Sequence, residues 1–516
     1  MISRRQIFAG AAVLGAASLV PGLGQAQPAP RRGGVLRISV DQAAGVLNPL
    51  LTRVNPEYLV AELLYSGLTR LRADMTAEPD LAESWTSTPD LAEWTFKLRA
   101  GLVFHDGTPC TSRDVAASFT AMLDPKTASA ARTNIGPIAE VSAPDAQTVV
   151  FKLKGGYADL PVALAYTNAK IIPEKIAAGD MSVLSRSAIG TGPFKLVSFE
   201  PERQIVVARN EHYWDPARPH VDRVEVLVYP DPAAEASALI AGDTDLMASA
   251  QPSEFPRLAS ASGVKALRVP SGQFLNINMA CDLKPFDDVR VRRALALTVD
   301  REAMVGFAAQ GFGTPGNDTP LSPAYHFYQQ APLLKRNIPD AKRFLAEAGY
   351  PNGLDLTLVA SDTPSTRTQL GVAVREMAKE AGFRIQVQTM PHATYLAQVW
   401  TKGNFYVGFY NMQASADAIF SLLYTSNAAW PETRWKNPDF DKLIGEARVT
   451  ADEARRRDIY GQAQALMREG VPSVIPVFFD LLAAQRPYVQ GYQLNPRGAV
   501  FSLDKLWLGE GAPKRR

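Results

Sequence analysis

The chain has 516 residues, 54 Lys plus Arg against 52 Asp plus Glu, and two cysteines. At about 100–200 residues per domain this predicts roughly three domain-sized lobes, and the 46% hydrophobic, 21% charged composition excludes disorder while the cysteine count excludes a disulfide-built scaffold. A formal net charge of +2 excludes the basic footprint of a nucleic-acid binder.

Residues 1–26 read as an export segment of twin-arginine type. Ser3-Arg4-Arg5 precedes a Gly/Ala/Leu/Val run that ends in the small-x-small pattern Gly24-Gln25-Ala26. Ile7 stands where such signals usually have Phe, and residue 27 is Gln rather than Cys, so lipidation after cleavage has no acceptor thiol. Removing the segment leaves 52 basic against 52 acidic side chains. No later stretch offers 18 uninterrupted apolar residues, so the expected product is a free periplasmic protein, not embedded in a membrane. Cys110 and Cys281 read as two unpaired, mostly buried thiols by default, with a disulfide between them as the alternative an oxidising compartment allows.

Val35–Val40, Trp94–Leu98 and Thr148–Leu153 alternate apolar and polar residues as strands do, and Ile205–Ala208 and Val224–Val228 read as further strands. Thr111 and Asp114 are spaced as a capping box ahead of Val115, Phe119 and Met122, one helix face. After about residue 270 helices become more frequent: Val291, Ala294, Leu295 and Val299 recur at helical spacing. Pro339–Ala348, closed by Gly349, and the strand Leu354–Ala360 form one αβ unit. Asn437-Pro438 opens a helix with an inner face of Phe440, Leu443, Ile444 and Ala447. Thr450 and Glu453 predict another capping box, and Ser473–Phe479 an apolar strand.

Catalytic constellations are missing. The five histidines lie apart, without HExxH or a Cys/His cluster. Gly190-Thr-Gly192-Pro193 has neither the third glycine nor the following helix of a dinucleotide fingerprint. Ser262-Gly-Val-Lys265 fits SxxK, yet two poor helix formers sit inside it and KTG is absent. The chain reads as a non-enzyme with no cofactor and no metal.

Leu81-Ala-Glu-Ser-Trp85, Trp94-Thr-Phe-Lys-Leu-Arg99, Val103-Phe-His-Asp-Gly-Thr-Pro109, Gly190-Thr-Gly-Pro-Phe194, Arg209-Asn210 with Tyr213-Trp214, Pro285–Ala294 and Asn437-Pro-Asp-Phe-Asp441 follow one another in order. Together they resemble the solute-binding proteins of ABC importers, specifically the peptide/nickel/opine-binding family (family 5), from about Gly33 to Leu508. Physically the signature reads as scaffold: Asp106-Gly107 makes a turn, and His105 is a hydrogen-bonded structural residue before it is a ligand.

The resemblance implies an α/β bilobal periplasmic-binding-protein fold, type II-like, with an extra subdomain in the first lobe and a hinge of two crossing strands. Lobe I would comprise 33–270, with the subdomain at about 57–187, lobe II would comprise 271–489, and 490–516 would return to lobe I. The crossing strands would lie near Arg268–Asn278 and Tyr488–Leu494. The partners implied are a small-molecule or peptide-like ligand and the transmembrane subunits of an ABC permease, with the chain itself a monomer.

Carried over by position, the segment after the first strand offers Arg53 and Asn55, with Arg53 either pairing a ligand carboxylate or lying on the surface. Arg132 and Asn134 follow the helix that starts near Thr111. The hinge offers Gln273 and Asn276, the latter also able simply to tie down backbone. The specificity loop after the strand Asn404–Tyr410 offers Asn411, Met412, Gln413, Ser415 and Asp417, and Trp400 and Tyr410 either stack on a ligand or belong to the core. In peptide-binding relatives this loop presents an aspartate to the peptide's α-ammonium. Here no acid stands between Met412 and Ser415, and Asp417 is either a displaced anchor or a helix cap. Neutral Asn, Gln and Met side chains suit an opine-like, modified or amide-rich solute. Two other readings stay open: an exported hydrolase, and a non-transport periplasmic receptor or chaperone on the same fold.

Overall fold

The computed structural model describes residues 29–515; the export segment at 1–26 lies outside the described residues. One 11-stranded sheet runs through the molecule. Its path is Phe383–Met390, Leu354–Ser361, Phe405–Tyr410, Lys265–Met279, Ser473–Gln485, Leu246–Met247, Val35–Val40, Arg223–Val228, Gln204–Arg209 and Phe194–Glu200, with Gly313–Pro315 also pairing Ser473–Gln485.

Two long strands in the middle, Lys265–Met279 and Ser473–Gln485, join the halves as an antiparallel pair. Leu246–Met247 adds the first half at Ala484 and Gln485. Phe405–Tyr410 adds the second half along Phe274–Met279, at the other end and on the other edge. The first crossing strand is therefore where the sequence places it. The second is not: Val489–Gln490 makes only a short pairing with Trp507–Leu508, and the partner is the preceding strand, which continues past Phe479 to Gln485. Leu481, Leu482, Ala483 and Ala484 carry that extension because a strand with neighbours on both edges and helices on its faces has no reason to alternate.

Each half has its own core. Leu36, Ile38, Val224 and Val226 pack with Leu59, Leu63 and Leu64 of the helix Asn55–Leu64, and Phe501, Leu503, Leu506 and Leu508 join the same cluster. A separate antiparallel sheet, in the order Ala82–Ser87, Glu93–Leu98, Thr148–Leu153, Ile138–Asp145, adds to it. There Phe96 and Phe119 both meet Phe151 edge-on, at ring centroids of 5.5 and 5.0 Å. Leu275, Ile277, Val407, Leu358 and Phe383 form the second core with the helices Val289–Thr298 and Thr366–Lys379. A third cluster packs the helices Ala416–Leu423, Pro438–Arg448 and Glu453–Gly470 around Phe274 and Tyr410, and takes in Leu71, Met75 and Val500 from across the molecule.

The Thr111–Asp114 capping box is present, with Asp114 accepting the Thr111 N–H at 2.8 Å. Asn437 caps its helix through Asp439 and Phe440. The Thr450–Glu453 box does not form. Asp452 accepts the Arg455 N–H at 2.7 Å and becomes the cap, while the Thr450 hydroxyl donates back to Glu446 at 2.7 Å. Asp and Thr compete for that position on nearly equal terms, and the preceding helix decides it. Cys110 and Cys281 are free. Among the described residues no helix is long and apolar enough to cross a membrane.

The most deeply buried ion pair ties the second half to the long strand. Arg301 pairs Asp318, both side chains nearly inaccessible, and Asp318 also accepts the Ile475 N–H at 2.9 Å. Arg301→Ala leaves that carboxylate uncompensated, and equilibrium denaturation should show a loss of about 3–5 kcal/mol. A loss below about 1 kcal/mol would mean the pair contributes nothing there.

Candidate functional site

The register of the two long strands breaks between Pro270 and Phe274. That bulge leaves Ser271-Gly272-Gln273 out of the ladder and turns Gln273 into a cavity of about 380 Å³ between the halves. Gly272 is needed for the close approach: a Cβ there would lie 2.4 Å from the Tyr325 ring and 2.7 Å from Met412. Its N–H donates to the Met412 sulfur at 3.2 Å.

The first half contributes Asn55, Tyr58, Tyr166, Thr167 and the turn Arg497–Ala499 to the wall. The second contributes Arg367, His392, Tyr395, Trp400, Tyr410, Asn411, Met412, Gln413 and Trp430. Gln273 Nε2 donates to Asn411 Oδ1 at 2.6 Å, and Gln413 Nε2 to the Asn411 carbonyl at 3.2 Å, so one amide chain links the bulge to the loop. Trp400 donates to the Tyr410 hydroxyl at 3.2 Å, and both rings pack against Trp430, at centroids of 5.2 and 6.0 Å. The Tyr58 hydroxyl is pushed up to about 12 by burial, reinforced by its neighbour Tyr166.

Of the residues singled out in the sequence, Asn55, Gln273, Trp400, Tyr410, Asn411, Met412 and Gln413 line this cavity. Six do not. Arg53 is exposed and its guanidinium donates to the Ala128 carbonyl at 3.2 Å. Arg132 lies exposed on the short helix Ala130–Thr133, and Asn134 spends its amide on the Ala130 carbonyl at 2.7 Å. Asn276 is fully buried under Gly408 and donates to Asn278 at 2.7 Å. Ser415 caps the helix Ala416–Leu423 by accepting the Ala418 N–H at 3.2 Å. Asp417 is buried and paired with Arg448 at 3.0 Å, with the Ser421 hydroxyl donating at 3.1 Å. It is neither anchor nor cap.

The sequence reading missed Arg367 and Arg497. Arg367 sits in the first turn of the helix Thr366–Lys379, which carries no acid there. A cation at the positive end of a helix is unfavourable, and that anomaly was legible. Nothing in the Asn495-Pro-Arg497-Gly498 turn marks its arginine.

His105 is structural: burial lowers its pKa to about 4, and its ring lies 3.2 Å from the Gly192 carbonyl. Ser262 and Lys265 are both exposed, and among the described residues no base hydrogen-bonds the serine. Among the described residues no group of three or more His, Cys, Asp or Glu is placed to hold a metal.

A two-lobed α/β molecule whose halves share two long strands and enclose one mixed polar and aromatic cavity defines a solute receptor. The model of the bacterial extracellular solute-binding proteins, family 5, matches residues 76–431, and the chain belongs to that family. The glutathione-binding protein GsiB of Escherichia coli K12 is 27% identical over 449 residues, covering 85% of this chain and 87% of that protein. The structure of the binding protein AgaA from A. tumefaciens R10, in complex with agropinic acid, aligns at a TM-score of 0.76 and 25% identity, over 92% of this chain and 99% of that one. HbpA2 from Haemophilus parasuis shares the fold at a TM-score of 0.82 and 22% identity, over 92% and 100% of the two chains. The chain is thus a substrate-binding protein, and delivery of the bound solute to a permease is the general role of its family.

Behind the cavity Glu432 is fully buried. Asn278 donates to its Oε2 at 2.8 Å, Oε1 has no partner, and burial pushes the carboxyl up to about 7. The unfolded chain releases this proton near the ordinary value of 4.5, before the folded chain does, so stability falls as pH rises from about 4.5 to about 7. Glu432→Gln keeps the acceptor for Asn278 and removes the loss. Its stability relative to wild type should grow across that window by up to about 3 kcal/mol in denaturant titrations, whereas parallel pH curves would contradict the assignment.

Proposed function

We propose that this chain is the free, monomeric periplasmic receptor of an ABC importer, exported through its twin-arginine segment, and that it captures a small peptide-like or opine-like solute without changing it chemically. The observation that carries the reading is the cavity: about 380 Å³, between the two halves, lined by amides and aromatic rings. That volume suits a compact organic solute and not an extended oligopeptide. A glutathione binder and an agropinic acid complex among the relatives support a conjugated, amide-bearing ligand.

The lobes are assigned to 33–270 and 271–489, with the subdomain at about 57–187 beside the first lobe and 490–516 returning to it. Capture ends with contacts across the halves: Arg456 pairs Asp159, and the Ala158 N–H donates to the Arg448 carbonyl at 2.8 Å. Those contacts exist only when the halves meet, which makes the closed form distinct for a permease to recognise.

A thermal-shift screen of the mature chain tests this reading with free-amine dipeptides, N-blocked peptides and opine-like conjugates. At 100 times its dissociation constant a ligand stabilises by about 2.7 kcal/mol. Blocked or conjugated compounds should shift the midpoint. A shift confined to free-amine dipeptides would contradict the opine-like assignment, because no free carboxylate lines the cavity to hold the ammonium.

A further inference from the structure

The two arginines of the cavity have no anionic partner. Arg367 is 8% exposed, its Nε is buried without a hydrogen bond, and its guanidinium lies against the rings of Tyr395 and Phe409 at 5.4 and 5.8 Å. Arg497 has Nε and Nη1 buried without partners and lies over the Tyr166 ring at 5.0 Å. Neither guanidinium makes an ion pair with any described residue, and no Asp or Glu lines the cavity. The acids nearest at hand are engaged or turned away. Asp417 belongs to Arg448, and Glu57 accepts the backbone N–H groups of Arg53 and Val54 at 2.6 and 3.3 Å. Glu432 lies behind the wall, near enough to act on Arg367 through its field, but its Oε2 is held by Asn278 and it makes no ion pair with the guanidinium.

Guanidinium nitrogens buried without partners are costly, in the buried Arg367 as in the half-buried Arg497, and two cations in one cavity also repel each other. Planar guanidinium forks are suited to carboxylates, with two parallel hydrogen bonds each. Arg367 comes from the second half and Arg497 packs on the first, so an anion spanning both would neutralise the cavity and join the halves in one act.

We propose that the solute is a dianion: a compact organic molecule with two carboxylates and no free ammonium, one carboxylate on Arg367 and the other on Arg497. The proposal rests on the receptor reading and narrows its substrate class. The amide chain of Gln273, Asn411 and Gln413 hydrogen-bonds the neutral middle of the ligand. An ammonium finds no carboxylate in the wall and meets two positive charges.

Calorimetry on the mature chain tests it with a panel of N-succinyl and N-glutaryl amino acids, which carry two carboxylates. The comparison compounds are N-acetyl amino acids with one, N-acetyl amino amides with none, and free dipeptides. The dianions should bind at least about 30-fold more tightly than any other class, and Arg367→Gln and Arg497→Gln should each lose about 30-fold or more for them and abolish the preference for two carboxylates over one. A second readout needs no ligand. Arg367→Met and Arg497→Met should raise the melting midpoint of the unliganded chain by about 1–3 °C, because each removes guanidinium nitrogens that are buried without a partner. Lower midpoints would mean the arginines are structural and would overturn the proposal. Equal or tighter binding of a dipeptide or a neutral amide would overturn the dianion and leave the receptor reading standing. Binding by no class would overturn both.

Discussion

The structure depends on one antiparallel pair of strands. Lys265–Met279 and Ser473–Gln485 are hydrogen-bonded to each other at both ends and carry the first half at Ala484 and Gln485 and the second along Phe274–Met279, so the halves can only move relative to each other through this ribbon. The ladder lapses at Ser271-Gly272-Gln273, the point where the cavity lies. Backbone freed from the ladder there is available for the loop Asn411–Gln413, and Gly272 lets Met412 and Tyr325 come within contact distance of the chain. A continuous ladder would have filled this place with core.

Each half has an apolar cluster of its own, and the buried pair of Arg301 with Asp318 lies inside the second half, whereas a third cluster and the pair of Arg456 with Asp159 bridge the two. On the cavity wall, Arg367 and Arg497 are left without an ion pair and with buried guanidinium nitrogens that have no partner. In the proposed complex a bound dianion would compensate both, so that occupancy and closure would become the same event.

Much of the scaffold was legible because it follows local rules. Period-two alternation marked Val35–Val40 and Thr148–Leu153, and the Thr111–Asp114 spacing marked a helix start. The failures came where distant partners decide. Thr450 lost the cap to Asp452 because its hydroxyl is taken by Glu446, and the second shared strand was misplaced because Leu481–Ala484 do not alternate. At the site, Gln273 and Asn411–Gln413 came from positions carried over through the family resemblance, and they line the cavity. Arg497 was missed because only the tertiary fold shows that no acid meets it, and Arg367 was missed although its place in an acid-free first helical turn was a signal, whereas Asp417, a conspicuous acid in the expected loop, is consumed by an arginine 31 residues away.

The central claim is that the halves close over a solute about the shared strands. Small-angle X-ray scattering of the mature chain, free and saturated with the tightest compound of the screen, tests it most directly. Ligand-dependent closure predicts a smaller radius of gyration in the saturated sample and a scattering profile that matches this compact arrangement, with Asp159 against Arg456. Identical profiles at full occupancy would contradict it, and would leave a rigid binding protein in place of a closing one.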